Sequence, residues 1–355
     1  MYCKGRERNM SKMLSSVRRI RAVAVLAALA LVVGACGVGQ GGSGGGGGDG
    51  SGEQANRICM VPKVAGIPYF NASEEGAQTA ADELGVELDY NGPAQARAAD
   101  QVQIIDQMVQ QQCDAISVAS NDPEAVGSAM SRAQDQGVAT SSWDADVPED
   151  AREYFVNQAT AEAIGQQLVD IMAEQTGGEG DYLVVTGSLT APNQNAWIDE
   201  MEAYIAEEYP DMNLAAIEPG EEDLQQGIDI TESYLQANPD TAGVFGITTV
   251  SLPGAAEAVQ QLGMQDEVAV TGLGLPSENR EYVENGTIEE FILWDPADLG
   301  YLAVHVANAQ VNGEMPDSGT FEAGRLGEVE LIAEDEVLLG PPVVFNEENI
   351  GEYDF

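Results

Sequence analysis

Short apolar runs alternate with longer amphipathic stretches along most of this chain. Ile58 to Val61, Val86 to Tyr90, Ala115 to Ala119 and Val138 to Ser142 are apolar or small-residue runs of strand length, the pattern of strands buried on both faces of a parallel sheet. Between them, Glu74 to Leu84 and Ala99 to Gln111 place apolar side chains at helical spacing. A second series repeats the scheme. It predicts strands at Tyr182 to Thr186, Leu214 to Ile217, Gly243 to Ile247, Val268 to Thr271 and Phe291 to Trp294, and helices at Ala161 to Gln175, Asn195 to Glu208, Gly227 to Ala237 and Pro253 to Leu262. Alternating strand and helix predicts an α/β fold of doubly wound parallel sheets, and two series of this size predict two similar lobes. Past Asn312 the periodicity weakens into a tail punctuated by Gly and Pro.

The N-terminus follows a different logic. Arg18, Arg19 and Arg21 precede an uncharged apolar run from Ala22 to Val33, too short to span a bilayer and shaped like the apolar region of a signal peptide. Val33-Gly34-Ala35-Cys36 follows; small residues before a cysteine at that place resemble the bacterial lipobox, whose cysteine is lipidated and becomes the mature N-terminus. The start codon is Met1 or Met10, since the nine residues before Met10 look unlike a targeting segment. From Gly37 to Gly52 the chain is almost entirely Gly and Ser, which behaves as a flexible coil. Cys36 on a lipid, a loose tether and a folded body from about Arg57 imply a protein held at the outer face of the cytoplasmic membrane.

Charge changes the picture further. The 355 residues hold 60 acidic and 14 basic side chains, but seven of the basic ones and a single acid lie within residues 1–35, so the remainder carries a formal net charge of -52. Nucleic acid is excluded as a partner, because this surface repels phosphate from every side. The balance points to a halophilic surface, on which salt screens self-repulsion. Cys59 and Cys113 are the other cysteines of the mature chain. An extracytoplasmic compartment permits a disulfide between them, while their place beside apolar strand-like runs favours buried free thiols.

In doubly wound sheets ligands bind beyond the carboxyl ends of the strands, and the residues there are polar or aromatic. Lys63, Tyr69 and Phe70 follow the first strand, Asn121 the third and Asp144 the fourth; the second lobe contributes Asn193, Gln194, Thr249 and Asp295. Carboxylates accept from hydroxyls, amides donate and accept, and ring faces cover C–H surfaces, a mixture suited to a neutral polyol. Asn121-Asp122-Pro123 also reads as a helix cap. Asp144, Asp146, Glu149 and Asp150 lack the glycine and distal glutamate of a calcium loop, Gly272 and Gly274 lack the third glycine of a dinucleotide fingerprint, and His305 is the one histidine. No metal or cofactor is therefore expected. Lys63, the one lysine after residue 35, reads as a ligand contact.

From Cys59 onward the chain resembles a type I periplasmic sugar-binding protein of an ABC transporter, in the branch of the rhamnose and autoinducer-2 binders. The resemblance rests on VPKVAGIPYF at 61–70, NDPEAV at 121–126, SWDADV at 142–147, NQNAW at 193–197, TGLGLPSE at 271–278, WDPADLGY at 294–301 and VVFNEENIGEYDF at 343–355. It implies two lobes joined by three crossovers that close on a ligand. The expected division is a lipoprotein signal over 1–35, a tether over 36–56, an N-terminal lobe of 57–146 with about 297–320, and a C-terminal lobe of 147–296 with about 321–355. The autoinducer-2 pattern is matched at Lys63, Asp144, Gln194 and Asp295, but Asn193 replaces an aspartate, and Ile247 and Thr249 replace a proline and an alanine. Asn193-Gln194-Asn195 and Gly324-Arg325-Leu326-Gly327 look closer to the rhamnose binders. A rhamnose-like deoxyhexose is thus the first expectation and autoinducer-2 the second, with a membrane permease and its ATPase as partners of a monomer.

Two rival classes fail on particulars. A repressor with these lobes needs a basic helix-turn-helix where this chain has a signal and a glycine tether. A glycoside hydrolase could use Asp144 and Asp295, but no spacing marks either as a raised-pKa acid. Salt adaptation makes the first prediction: melting temperature rises with NaCl up to molar concentrations. A melting temperature flat across that range removes the halophilic reading.

Overall fold

The computed structural model describes residues 55–355; the expected signal segment, Cys36 and most of the expected tether lie outside them. In chain order the elements are β1 (Arg57–Val61), α1 (Pro68–Leu84), β2 (Glu87–Tyr90), α2 (Ala98–Gln110), β3 (Ala115–Val118), α3 (Pro123–Gln134), β4 (Ala139–Trp143), β5 (Tyr154–Asn157), α4 (Ala161–Thr176), β6 (Glu179–Thr186), α5 (Pro192–Glu208), β7 (Asp211–Pro219), α6 (Leu224–Ala237), β8 (Gly243–Gly246), α7 (Ser251–Leu262), β9 (Ala269–Gly272), α8 (Pro276–Glu284), β10 (Phe291–Leu293), α9 (Pro296–Asn312), β11 (Gly319–Glu322), β12 (Glu328–Ala333), β13 (Glu336–Leu338) and β14 (Val343–Phe345). Prolines open α1, α3, α5, α8 and α9, where the missing N–H costs nothing and the fixed φ favours a helical start.

Two sheets of the same winding result, parallel except where β11, β12 and β13 pair antiparallel at one end of the first. The first runs β2-β1-β3-β4-β5 and then continues through β13-β12-β11; the second runs β7-β6-β8-β9, with β10 bridged in parallel to its edge through Leu273 and Ile292. Both are doubly wound, and both reverse strand order next to their first strand, β1 or β6. Alternation along β1 shows why that strand is apolar throughout: Cys59 and Val61 join the core beneath α2 and α3, whereas Met60 faces a core shared with α1 and α9. α1 and α9 cross closely because a Cβ on Gly76 or Gly300 would strike the backbone of Ala297 or Ser73.

The chain passes between the sheets three times, from Asn157 to Ala161, from Leu293 to Pro296 and from Leu338 to Val343. The expected boundaries at 146 and 320 are not where the sheets divide. β5 pairs with β4 through Ser141 and Tyr154, β13 pairs with β5, and so 154–157 and 319–338 extend the first sheet. Only the stretch from β14 onward meets the second lobe, through the antiparallel β10–β14 pair. The tail beyond Asn312 is therefore three strands on one lobe and one on the other. Its strands are short, and the pairings that attach them to the two lobes, β13 with β5 and β14 with β10, are distant in sequence, so no local period marks their place.

Cys59 and Cys113 form a disulfide, with Cα atoms 6.0 Å apart, correcting the free-thiol expectation. Parallel pairing sets Cys59 beside Ile116 and brings the loop before β3 across β1, a proximity hidden behind 54 residues of sequence. A loop of this length should make the bridge worth about 2–4 kcal/mol through lost freedom of the unfolded chain. The Cys59→Ala/Cys113→Ala protein should unfold at correspondingly lower denaturant, and an unchanged midpoint would contradict this.

Candidate functional site

The switch points of the two sheets face a common cavity. Its walls are Lys63, Ile67, Tyr69, Phe70 and Asp144 from the first lobe, Asn193, Gln194, Trp197, Glu222, Ile247, Thr248, Thr249 and Leu273 from the second, and Leu293 and Trp294 at the crossover. Together these side chains enclose a small space with polar groups on one side and aromatic rings on the other.

Local structure places each of these groups. Lys63 lies just past β1, and its carbonyl accepts from Asn121 Nδ2 at 2.8 Å. Buried Gln101 ties the two loops together, donating to Pro62 O at 3.0 Å and Ala119 O at 2.7 Å while accepting from the Asn121 N–H at 3.0 Å. Asp144, just past β4, has φ of 61°, a left-handed backbone rare outside glycine that costs on the order of 1–3 kcal/mol and clusters at functional sites. Tyr69 and Phe70 stand on the first turn of α1, Asn193, Gln194 and Trp197 on the first turns of α5.

At the centre is a buried ion pair. Lys63 Nζ is 3.7 Å from Asp144 Oδ2 and donates to Asn193 Oδ1 at 2.8 Å. Asn193 Nδ2 donates to Asp144 O at 3.2 Å and faces Oδ2 at 3.5 Å, so one amide serves both charges. Tyr69 OH donates to Asp144 Oδ1 at 2.8 Å and accepts from Trp294 Nε1 at 2.9 Å. Burial pushes the Asp144 carboxyl above its usual range, against the opposing pull of Lys63 and of the Tyr69 hydroxyl; burial and then Asp144 push the Tyr69 phenol well up. Trp294 meets Tyr69 and Trp197 edge to face, which leaves an aromatic wall beside the polar cluster.

Of the residues expected from sequence, Lys63, Tyr69, Phe70, Asp144, Asn193, Gln194 and Thr249 line this cavity. Asn121 does not; it stands behind Lys63 as a support, while Asp122 caps α3. Asp295 does not line it either. Its carboxylate caps α9, accepting from the N–H groups of Ala297 at 2.8 Å and Asp298 at 3.4 Å, because an aspartate before a helix-opening proline is held by the orphan amides of the first turn. Asp146 is likewise taken, by Arg152 at 2.8 Å. Glu222 and Trp197 were missed. Trp197 lies within the NQNAW string and shows through its helical spacing from Asn193; nothing near Glu222 signals a site.

No helix among the described residues is long and apolar enough to cross a membrane, and no metal-holding cluster occurs among them. Two doubly wound lobes with a polar, aromatic-walled cavity between their switch points define a solute-binding protein of the two-lobed kind. The periplasmic binding protein domain family matches residues 58–315, and the chain belongs to it, as a type I sugar-binding protein of ABC transporters and not an enzyme. A solute-binding protein from Clostridium phytofermentas, solved with bound L-rhamnose, is 32% identical with a TM-score of 0.81, over 84% of this chain and 98% of that one. LsrB from Clostridium saccharobutylicum, in complex with AI-2, is 30% identical with a TM-score of 0.80, over 84% and 100%. A ribose import binding protein of Escherichia coli is 23% identical over 265 residues, 72% of this chain and 85% of the relative.

The Tyr69 hydroxyl gives a test with a sign. Tyr69→Phe removes a donor from a buried carboxylate and should cost about 1–3 kcal/mol at neutral pH. Losing that donor raises the Asp144 pKa further. A raised folded-state pKa means stability that is present in acid and lost as pH rises through it, so the penalty should shrink as pH falls from neutral towards the ordinary aspartate range. A penalty equal at both ends, measured by denaturant unfolding, rules this network out.

Proposed function

We propose that this protein captures L-rhamnose or a similar neutral deoxyhexose between its lobes and delivers it to a membrane permease with its ATPase, working as a monomer held by a lipid on Cys36. The observation that carries the ligand choice is Asn193. Its side chain accepts from Lys63 at 2.8 Å and turns its amide towards Asp144 Oδ2 at 3.5 Å. An aspartate there, as in the autoinducer-2 pattern, would set two carboxylates against each other and raise the pKa of one of them. With the amide, Asp144 stays free to accept from a hydroxyl. Thr249 adds a hydroxyl where that pattern is apolar, and Trp197, Trp294, Tyr69 and Phe70 offer ring surface for the C–H face and methyl group of a deoxy sugar. The relative solved with L-rhamnose supports the same choice. Autoinducer-2 is the second reading, favoured by Lys63, Asp144 and Gln194 and by the likeness to LsrB.

Thermal shift with each ligand separates the two. L-rhamnose should stabilise the protein more than autoinducer-2 does, and Asp144→Ala should abolish the shift. Asn193→Asp should weaken rhamnose about five- to a hundredfold, the cost of one mismatched buried hydrogen bond, with the fold intact. Asp295→Ala should lower the baseline melting temperature through the lost cap, by roughly 1 kcal/mol of stability, yet keep the rhamnose shift. A larger shift with autoinducer-2 in the unmodified protein reverses the ranking.

A further inference from the structure

Glu222 is the cavity residue least expected from the sequence and the one with the most unusual support. It occupies the turn between β7 and α6, where Glu221 and Glu222 both hold φ of 53°, a conformation that persists in non-glycine residues only where the surroundings over-determine it. Here the backbone is tied down on the β6 side: Gly220 N donates to Thr186 O at 2.7 Å and Glu221 N to Gly187 O at 2.6 Å. The side chain is held as well. Gln194 Nε2 donates to Glu222 Oε1 at 3.1 Å, while Gln194 Oε1 is itself fixed by Thr186 Oγ1 at 2.9 Å and by the N–H groups of Gly187 at 2.9 Å and Ser188 at 3.3 Å. A Cβ on Gly187 would collide with the Glu222 carboxylate, so the bare backbone there is what admits it.

Two consequences follow from this cradle. Gln194 lines the cavity, but its oxygen is fully used within the protein and its amide is turned to Glu222, which leaves it little to offer a ligand. Glu222 Oε2 has no hydrogen-bond partner among the described residues. The same side chain also lines a surface groove with Val64, Arg97 and Asp223, so it forms the partition between the cavity and the outside. The cavity thus contains two carboxylates, Asp144 and Glu222, against one ammonium, Lys63.

We propose that Glu222 is a specificity-determining ligand contact: its unshared oxygen accepts a hydroxyl of a neutral polyol, its charge excludes sugar acids, and Gln194 is the positioning residue that aims it. This rests on the sugar-binding reading of the cavity. Each oxygen of a carboxylate has two acceptor directions, so a group held through one oxygen keeps the other for a ligand. A second anion on the cavity wall, only partly exposed, repels a uronate more strongly than a fully solvated surface charge does, because less water screens it.

Calorimetry tests this on the purified full-length mature protein with L-rhamnose, autoinducer-2, D-arabinose and D-ribose, and with D-galacturonate as the acidic probe. With whichever neutral ligand binds tightest, Glu222→Gln should raise Kd about 10- to 100-fold, the loss of one charge-assisted bond. In the same variant the ratio of galacturonate to neutral-sugar affinity should rise. A merely structural role would not move that ratio. Gly187→Ala should act in the same direction by displacing the carboxylate. Gln194→Ala combined with Glu222→Gln should bind no worse than Glu222→Gln alone, since the two act as one unit. Glu221→Gln, a neighbour on the same turn, should stay within about twofold of the parent. If Glu222→Gln also stays within twofold while Asp144→Ala loses binding, this inference fails and the cavity reading stands. If Asp144→Ala also binds like the parent, or if no neutral ligand in the panel binds, both fail.

Discussion

Lys63 and Asp144 lie 3.7 Å apart with side-chain exposures of 3% and 5%, a depth at which either charge alone would cost several kcal/mol. Neither is tolerable without the other, and the pair is tolerable only because further groups solvate it. Asn193 supplies an acceptor to the ammonium and a donor to the carboxylate; Tyr69 supplies a second donor and is itself held by Trp294. These partners come from the first lobe, the second lobe and the crossover between them. One electrostatic requirement therefore ties three separately built parts of the molecule to a single point. The same requirement makes the place suitable for a sugar, since hydroxyls both donate and accept and so can join such a network.

The fold meets that requirement by repetition. Each lobe reverses strand order beside its first strand, and at that reversal the loops splay and leave backbone and side chains free. Facing two such reversals across three crossovers makes a cavity whose walls belong to different lobes. Rigid supports lie behind it: Gln101 and Asn121 brace the Lys63 loop, and the close α1–α9 crossing at Gly76 and Gly300 fixes both the helix that bears Tyr69 and the one that follows Trp294.

Much of this was legible in the chain itself. Apolar runs of strand length and helical spacings located most elements of both series, though not β5, α8 or α9, and the rule that ligands gather past strand ends brought seven of the cavity's residues forward, Lys63 and Asp144 among them. Two kinds of error remained. Asp295 carries the right chemistry in the right region, but a helix N-terminus competed for its carboxylate and won, and the identity of the residue alone does not reveal which partner takes it. Glu222 sits among other acids in a turn with no periodicity, and only the glycine at 187 and the amide of Gln194, 35 and 28 positions away, explain its direction.

The sequence by itself determined the class of fold, the two-lobed repeat and the type of ligand chemistry, because these depend on local period, residue type and order along the chain. Tertiary structure decided what depends on distance: the Cys59–Cys113 bridge, the assignment of 154–157 and 319–338 to the first sheet, and the division of carboxylates between cavity and cap. Hydrogen bonds and charge pairs act over about 3 to 4 Å, and no local pattern records which residues, scores of positions apart, are brought within that range.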